Sequence, residues 1–247
     1  MNQSDSSRGV DLTGHRAAVP PIVNPPAPRV SRSLLERFEH VYVPDLSDAV
    51  GNLYTMDTGI RPLYAPMRRA VGQAFTVKMP PGDNLTIHGA LAMLQTDDVL
   101  VIDWRGYVDG CATGASSLVV ATARGLRGVV ADGGWRDVGE LRALDLPVFA
   151  RGLSTFSPPK ERPGEINTPV SCGGVVVFPG DIVVGDEEGC VVVPQRWAER
   201  VLDSIEPYVA PTGIEDWNLH DLEESVDARH QRFRSIVEEF GGSIGPA

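Results

Sequence analysis

The chain has 247 residues, 42 % of them hydrophobic, enough for one sizeable core in a single catalytic-sized domain with tails. Its 22 Lys plus Arg against 33 Asp plus Glu leave a net charge of −11, and no basic cluster runs along the sequence, which argues against a nucleic-acid partner. Three widely spaced cysteines, Cys111, Cys172 and Cys190, form no CxxC pair and read as small buried residues of a reducing cytoplasm, while no stretch reaches the ~18 apolar residues of a membrane span, so a cytoplasmic protein without a membrane partner is expected.

Residues 1–29 combine Ser, Asp and Gly with the run VPPIVNPPAP, too poor in periodic apolar residues to fold alone, and read as a flexible or partner-draped arm. From Ser31, SRSLLERFEHV places apolar residues at helical spacing behind a Ser cap, and DLSDAVGNLY begins again with an acidic cap, so two short helices open the domain. Strand-like runs follow at FTVKM, VLVID, VVAD, PVFA, VVVF, DIVVG and CVVVP, interleaved with the helical runs NLTIHGALAML, ASSLVVATARG and WRDVGELRAL. That interleaving predicts an α/β domain with a mixed core sheet. Between Pro169 and Pro194 the runs are separated only by GG, PGD and DEEG, turn chemistries without room for helices, so this half should be mostly antiparallel. QRWAERVLDSIEPYV predicts a helix that Pro207 bends or stops, and residues 213–240 a second, charged amphipathic stretch that packs on the domain or on a neighbouring subunit.

The segment GLRGVVADGGWRDVGE (125–140) runs an apolar strand into a glycine turn ending in Arg136–Asp137. A guanidinium fork fits a carboxylate, and a carboxylate one residue along can hold a hard cation, so the pair could grip one small oxyanionic substrate. The plain alternative is a surface salt bridge at a helix start. Asp132, before the GG turn, could orient Arg136 or bind metal-linked water, or simply cap the turn. In GDNLTIHGAL, Asp83 or Asn84 is a candidate helix cap, with His88 one turn further on. Asp186, Glu187 and Glu188 read as a solvated hairpin turn. Asp103 and Arg105 follow a strand, at the end where α/β sites gather, and Trp104 and Trp135 could shape a pocket or merely pack. Lys78 and Lys160 are the only lysines, which weakens a Schiff-base route. No GxGxxG or GK[ST] follows a strand, so no nucleotide loop is indicated.

GLRGVVADGGWRD resembles the central signature of the RraA-like family, which includes 4-hydroxy-4-methyl-2-oxoglutarate aldolases. The stretches AVGQAFTVKMPPGDNLTIHGAL, DDVLVIDWRG, LPVFARGLSTFSPP and TPVSCGGVVVFPGDIVVGDEEGCVVVP also resemble family segments, in family order, so the resemblance covers roughly residues 30–205. It implies a layered β/β/α domain of the swivelling type over residues 30–207 and assembly as a homotrimer or homohexamer with sites between subunits, beside the helical extension read above over 208–247. The family includes metal-dependent pyruvate aldolases, oxaloacetate decarboxylases and a non-catalytic inhibitor of an RNA-degrading enzyme. The implied activity is a lyase reaction on a small 2-oxo acid, with Mg2+ or Mn2+ stabilising an enolate. By the resemblance, Asp137 holds the metal, Arg136 contacts the pyruvate-like part, and the main chain of Gly114, Ser116, Ser117 and Leu118, where a helix begins, meets the oxyanion. His88 would lie near the substrate mouth. The sequence departs from the aldolase pattern at Ala115, where those enzymes carry an acid that holds metal-bound water, and Glu206 is near the place of a second acidic partner. Two alternatives stay open: an enolate-based hydratase or tautomerase, and a non-catalytic trimeric interaction protein like the RNase E inhibitor, a branch that tends to lose the Asp retained here as Asp137.

Overall fold

The computed structural model describes residues 19–205 and 219–241, which fall into two compact units divided between residues 206 and 207. Helices α1 (Arg32–Phe38) and α2 (Val43–Ala49) open the first unit, and the Ser31 hydroxyl caps α1 by accepting from the Leu34 N–H at 3.2 Å. The second helix starts ahead of the acidic cap read from the sequence. Pro44 in its first turn presets helical φ, and Asp45 then sits inside that turn, where its charge favours the helix dipole.

The chain continues through β1 (Arg61–Pro62), β2 (Ala70–Lys78), α3 (Leu85–Ala90), β3 (Asp98–Tyr107), α4 (Ala115–Ala123), β4 (Gly128–Trp135), α5 (Val138–Ala143) and β5 (Val148–Leu153). Then come β6 (Glu165–Ile166), β7 (Val170–Cys172), β8 (Val175–Val177), β9 (Ile182–Asp186), β10 (Gly189–Val193), a 3-10 turn at Gln195–Trp197 and α6 (Ala198–Ile205). The main sheet has the order β1-β5-β4-β3-β2-β9-β10, with β6 also pairing β2. Strands β2 to β5 are parallel, joined by crossovers through α3, α4 and α5, whereas β1, β6, β9 and β10 run antiparallel to their neighbours. As the turn chemistry predicted, the second half is antiparallel, and β7 and β8 form a separate hairpin.

Two-residue periodicity sorts the side chains of the parallel strands into two cores. Phe75, Val77, Leu100, Ile102, Val129 and Ala131 pack against Ile87, Leu118 and Leu141 of the helices. Their sequence neighbours Ala74, Val99, Val101 and Val130 pack on the other side against Val170, Cys172, Val175 and Val177 of the hairpin. The result is a hairpin, sheet and helix layering, the β/β/α arrangement expected. At the β9–β10 end a third cluster joins Val184 and Val191 to Phe38, Leu46 and Leu202 of α1, α2 and α6. The three cysteines are free and buried.

Residues 22–29, read from composition as part of an arm, lie on this unit: Val23 pairs with Ile166, and Asn24 and Asn167 exchange side-chain-to-carbonyl bonds of 3.0 and 3.2 Å. Arg29 forms an ion pair with the buried Asp98. These anchors are polar bonds between segments far apart in sequence, which is why no apolar periodicity announces them. The second unit is described by α7 (Leu219–Glu239), inside the charged stretch expected to be helical. No helix among the described residues is long and apolar enough to cross a membrane. Glu206 and Pro207 lie outside the described residues.

Asp83 is the fixed point between α3 and the loop that follows β5. Its fully buried carboxylate accepts from the N–H groups of Leu85, Glu161 and Arg162 at 2.9, 2.9 and 3.0 Å. Leaving a buried N–H unmet costs about 1–3 kcal/mol. Asp83→Ala should therefore lower the denaturant midpoint by the equivalent of roughly 2–4 kcal/mol, and a change below ~0.5 kcal/mol would show that this carboxylate is not what ties the two segments together.

Candidate active site

Strand β4 ends at Trp135, and the next two residues are Arg136 and Asp137. Asp137 is the N-cap of α5 with φ 62° and ψ 41°, a left-handed conformation that Asp tolerates better than most residues but that still costs free energy. This twist brings the carboxylate to a different helix. Asp137 Oδ2 accepts from the Ala115 N–H, the first residue of α4, at 3.1 Å, and Arg136 Nε lies 3.7 Å from the same oxygen. Helix α4 has no side-chain cap of its own, because its N-cap is Gly114. A Cβ there would stand 2.1 Å from Asp137 Oδ2, so glycine is required for the carboxylate to reach the amide.

The first four N–H groups of a helix lack partners one turn back. In α4 these belong to Gly114, Ala115, Ser116 and Ser117; Ala115 donates to Asp137 and Ser117 bends back to the Gly114 carbonyl at 3.3 Å. Ser116 is exposed and its N–H is left at the positive end of the helix dipole. Leu118 stands apart from the other candidates. It is the first residue whose N–H closes a full helical turn, and its side chain is wholly buried in the helix-side core, so its amide is not offered to a ligand.

Three of the four buried side-chain polar atoms without a hydrogen-bond partner among the described residues are Asn84 Oδ1, Trp135 Nε1 and Arg136 Nε. Asn84 Nδ2 donates to the Ala112 carbonyl at 3.0 Å, just ahead of Gly114, so the start of α3 is held against the loop that leads into α4. Asn84 therefore serves as a tie between loops and makes no cap bond; the neighbouring Asp83 bonds the Leu85 N–H instead. Unmet polar atoms in a native fold ask for a reason, and a polar ligand is one. The side chains of Arg136 and Asp137 are 36 % and 33 % exposed, so the corner is open to solvent.

His88 is exposed on α3. Partial burial, and then the nearby Lys160 charge, push its pKa below the ordinary histidine value, which favours neutral imidazole. No hydrogen bond or ion pair joins it to Arg136 or Asp137 among the described residues. Burial pushes the Cys111 thiol up, against the opposing pull of Arg136, so it stays protonated.

Asp132 goes elsewhere. Strand alternation sends its side chain to the hairpin face, opposite the helices, where its carboxylate pairs with Arg151 and accepts from the Gly173 N–H at 3.0 Å. It anchors β7–β8 and does not orient Arg136. Asp103 does the same one strand away, accepting from the Ser171 N–H at 3.1 Å, and with Lys78, Arg105, Asp132 and Ser171 it lines a cavity of about 410 Å3 on that face. Trp104 and Trp135 are fully buried and pack; the Trp104 indole donates to the Pro80 carbonyl at 2.8 Å. Among the described residues no three of His, Cys, Asp and Glu gather as a metal cluster. The sequence offered Asp83 or Asn84 only as a helix cap, and the long-range bonds both residues make were missed; the only signal available there was a GDN turn ahead of an apolar run.

Residues 43–192 match the model of the RraA-like family, described as Aldolase/RraA. A Halalkalibacterium halodurans protein provisionally named 4-hydroxy-4-methyl-2-oxoglutarate aldolase is 37 % identical over 168 residues, spanning 68 % of this chain and 80 % of its own. Among solved structures, Streptomyces coelicolor RraAS2, titled an unusual member of the RNase ES inhibitor RraA family, aligns with a TM-score of 0.68 at 27 % identity, over 74 % of this chain and 95 % of that one. The RNA-processing inhibitor RraA from Thermus thermophilis aligns with a TM-score of 0.57 at 26 % identity, over 63 % and 93 % of the two chains. With its signature turn, its layered sheet and these relatives, the chain belongs to the RraA-like, Aldolase/RraA family.

Proposed function

We propose that this chain is a lyase acting on a small 2-oxo acid through a pyruvate enolate, with Asp137 as the protein ligand of Mg2+ or Mn2+. The observation that carries this reading is the Asp137 carboxylate turned onto the first amide of α4, with Arg136 Nε, which makes no hydrogen bond among the described residues, 3.7 Å away. A hard cation of this kind is commonly held by one or two carboxylates, with water and substrate oxygens completing its shell, so a single exposed carboxylate beside an open corner fits it. Bound there, the cation would supply a Lewis acid for the substrate ketone. Arg136 offers its guanidinium to the substrate carboxylate, and the Ser116 N–H at the positive end of α4 faces the ketone oxygen as it becomes negative.

Two reactions reach the same enolate, and they ask different things of the protein. In decarboxylation of a 3-carboxylated pyruvate such as oxaloacetate, the bond from C3 to the leaving carboxylate breaks, CO2 departs, and the electron pair moves to the ketone oxygen; water then protonates C3. In retro-aldol cleavage the C4 hydroxyl must also give up its proton as the C3–C4 bond breaks, which calls for a base. Ala115 provides none. The residues at this corner therefore serve decarboxylation more directly than aldol cleavage.

A second reading, a trimeric interaction protein of the RraA type, is favoured by the similarity to RraAS2 together with the missing acid at Ala115. In that case the Arg136–Asp137 pair has no catalytic duty. Pyruvate release from oxaloacetate and from 4-hydroxy-4-methyl-2-oxoglutarate, with Mg2+, Mn2+ or EDTA, separates the two. The expected result is metal-dependent release, silenced by EDTA and reduced about 100-fold or more by Asp137→Ala. Equal rates in wild type and Asp137→Ala, or no pyruvate with either metal, would leave the interaction reading standing. Ala115→Asp should raise aldol cleavage relative to decarboxylation by about tenfold or more, with far-UV circular dichroism confirming the fold. A ratio that does not move would mean that the missing acid is not what sets the preference.

A further inference from the structure

Helix α7 carries large apolar side chains that nothing on its own helix covers: Val226 is 61 %, Phe233 56 % and Ile236 43 % exposed, and Phe240, just past its end, 85 %. Val226, Phe233 and Phe240 are seven residues apart, and Ile236 lies three after Phe233. The same spacing runs back in sequence to Leu219 and Leu222, so positions 219, 226, 233 and 240 form one heptad row and 222, 229 and 236 the other. A seven-residue apolar repeat is the pattern of a helix that winds on another helix, and Arg229 is its one charged member.

The charges choose the partner and its direction. The first half of the helix is acidic, with Glu223, Glu224 and Asp227, and the middle is basic, with Arg229, His230, Arg232 and Arg234. A parallel in-register pair would lay acidic half on acidic half and set Arg229 against Arg229 in the seam. An antiparallel pair of identical helices lays each acidic half along the partner's basic half. In that register position 222 layers on 233, 219 on 236 and 226 on 229, and Glu223 meets His230. Arg229 is already braced within its own helix, its guanidinium donating to the Ser225 hydroxyl at 2.8 Å.

We propose that α7 is an oligomerisation clip that pairs antiparallel, across a two-fold axis, with α7 of a second copy of this chain. The clip uses none of the residues of the proposed catalytic corner.

Disulfide trapping in the full-length chain tests both the partner and the direction. The native cysteines are all buried and give a quiet background. Positions 222 and 233 are about 16 Å apart along one helix, too far to bridge within it. The Leu222→Cys, Phe233→Cys double variant should therefore form a covalent dimer on mild oxidation, seen on a non-reducing gel, while each single variant stays a monomer. No dimer from the double variant would overturn the pairing, as would a dimer from Phe233→Cys alone, because the proposed register sets 233 opposite 222 and never opposite itself.

Discussion

The carboxylate of Asp137, bound to the first amide of α4 from the first turn of α5, ties together the starts of two neighbouring helices that follow adjacent parallel strands. Three local facts depend on this one contact. Asp137 takes a left-handed backbone to reach across, Gly114 gives up a side chain to let it in, and α4 goes without a cap of its own. An anionic group that satisfies a helix amide is stabilised by the dipole as well as by the hydrogen bond. That arrangement orients the carboxylate beside the exposed Ser116 and the Arg136 guanidinium, the two groups proposed to meet the substrate anion. The structural tie and the proposed binding corner are thus built from the same atoms.

The sheet divides the acidic residues between two tasks. Because side chains alternate along a strand, Asp103 and Asp132 face the β7–β8 hairpin and spend their oxygens on Ser171, Gly173 and Arg151. Arg151 in turn reaches Asp57 with two bonds of 3.0 and 2.9 Å, so the hairpin side is a closed ionic network. Asp137 lies beyond the end of β4, where alternation no longer applies and the turn alone sets direction. Asp132 holds the fold, and Asp137, five positions further on, is the acid proposed for chemistry. Cys172, buried in the same hairpin-side core, has its thiol pushed well up by burial and takes no part.

Ala115 sits between these roles. Its amide holds Asp137, while its methyl group is buried in the helix-side core, at the position where the family resemblance leads one to expect an acid. Losing a carboxylate there removes a base without disturbing the main-chain contact that fixes Asp137. On the proposed enolate reading, the absence of a carboxylate at position 115 is the physical ground for ranking decarboxylation ahead of aldol cleavage.

Much of the architecture was readable from the sequence alone. β2, β3, β4 and β5 each contain a short apolar run buried on both faces, so the strands stand out; glycine and proline turns between Pro169 and Pro194 leave room only for antiparallel pairing. The Arg136–Asp137 pair and the start of α4 near Gly114 were also visible, because a turn after an apolar strand and a run of small residues are local signals. What the tertiary structure decided is which partner each polar group takes. Asp132, five residues before Asp137, belongs to the hairpin because of strand parity and a contact with Gly173, 41 residues away. Asn84 holds Ala112, and Asp83 holds Glu161 and Arg162, in place of simple helix caps. The arm residues Asn24 and Arg29 fasten to Asn167 and Asp98 through polar bonds. Hydrophobic periodicity records which face of an element is buried, whereas a hydrogen bond between distant segments leaves no period in the chain, so it appears only once the sheet has brought its two ends together.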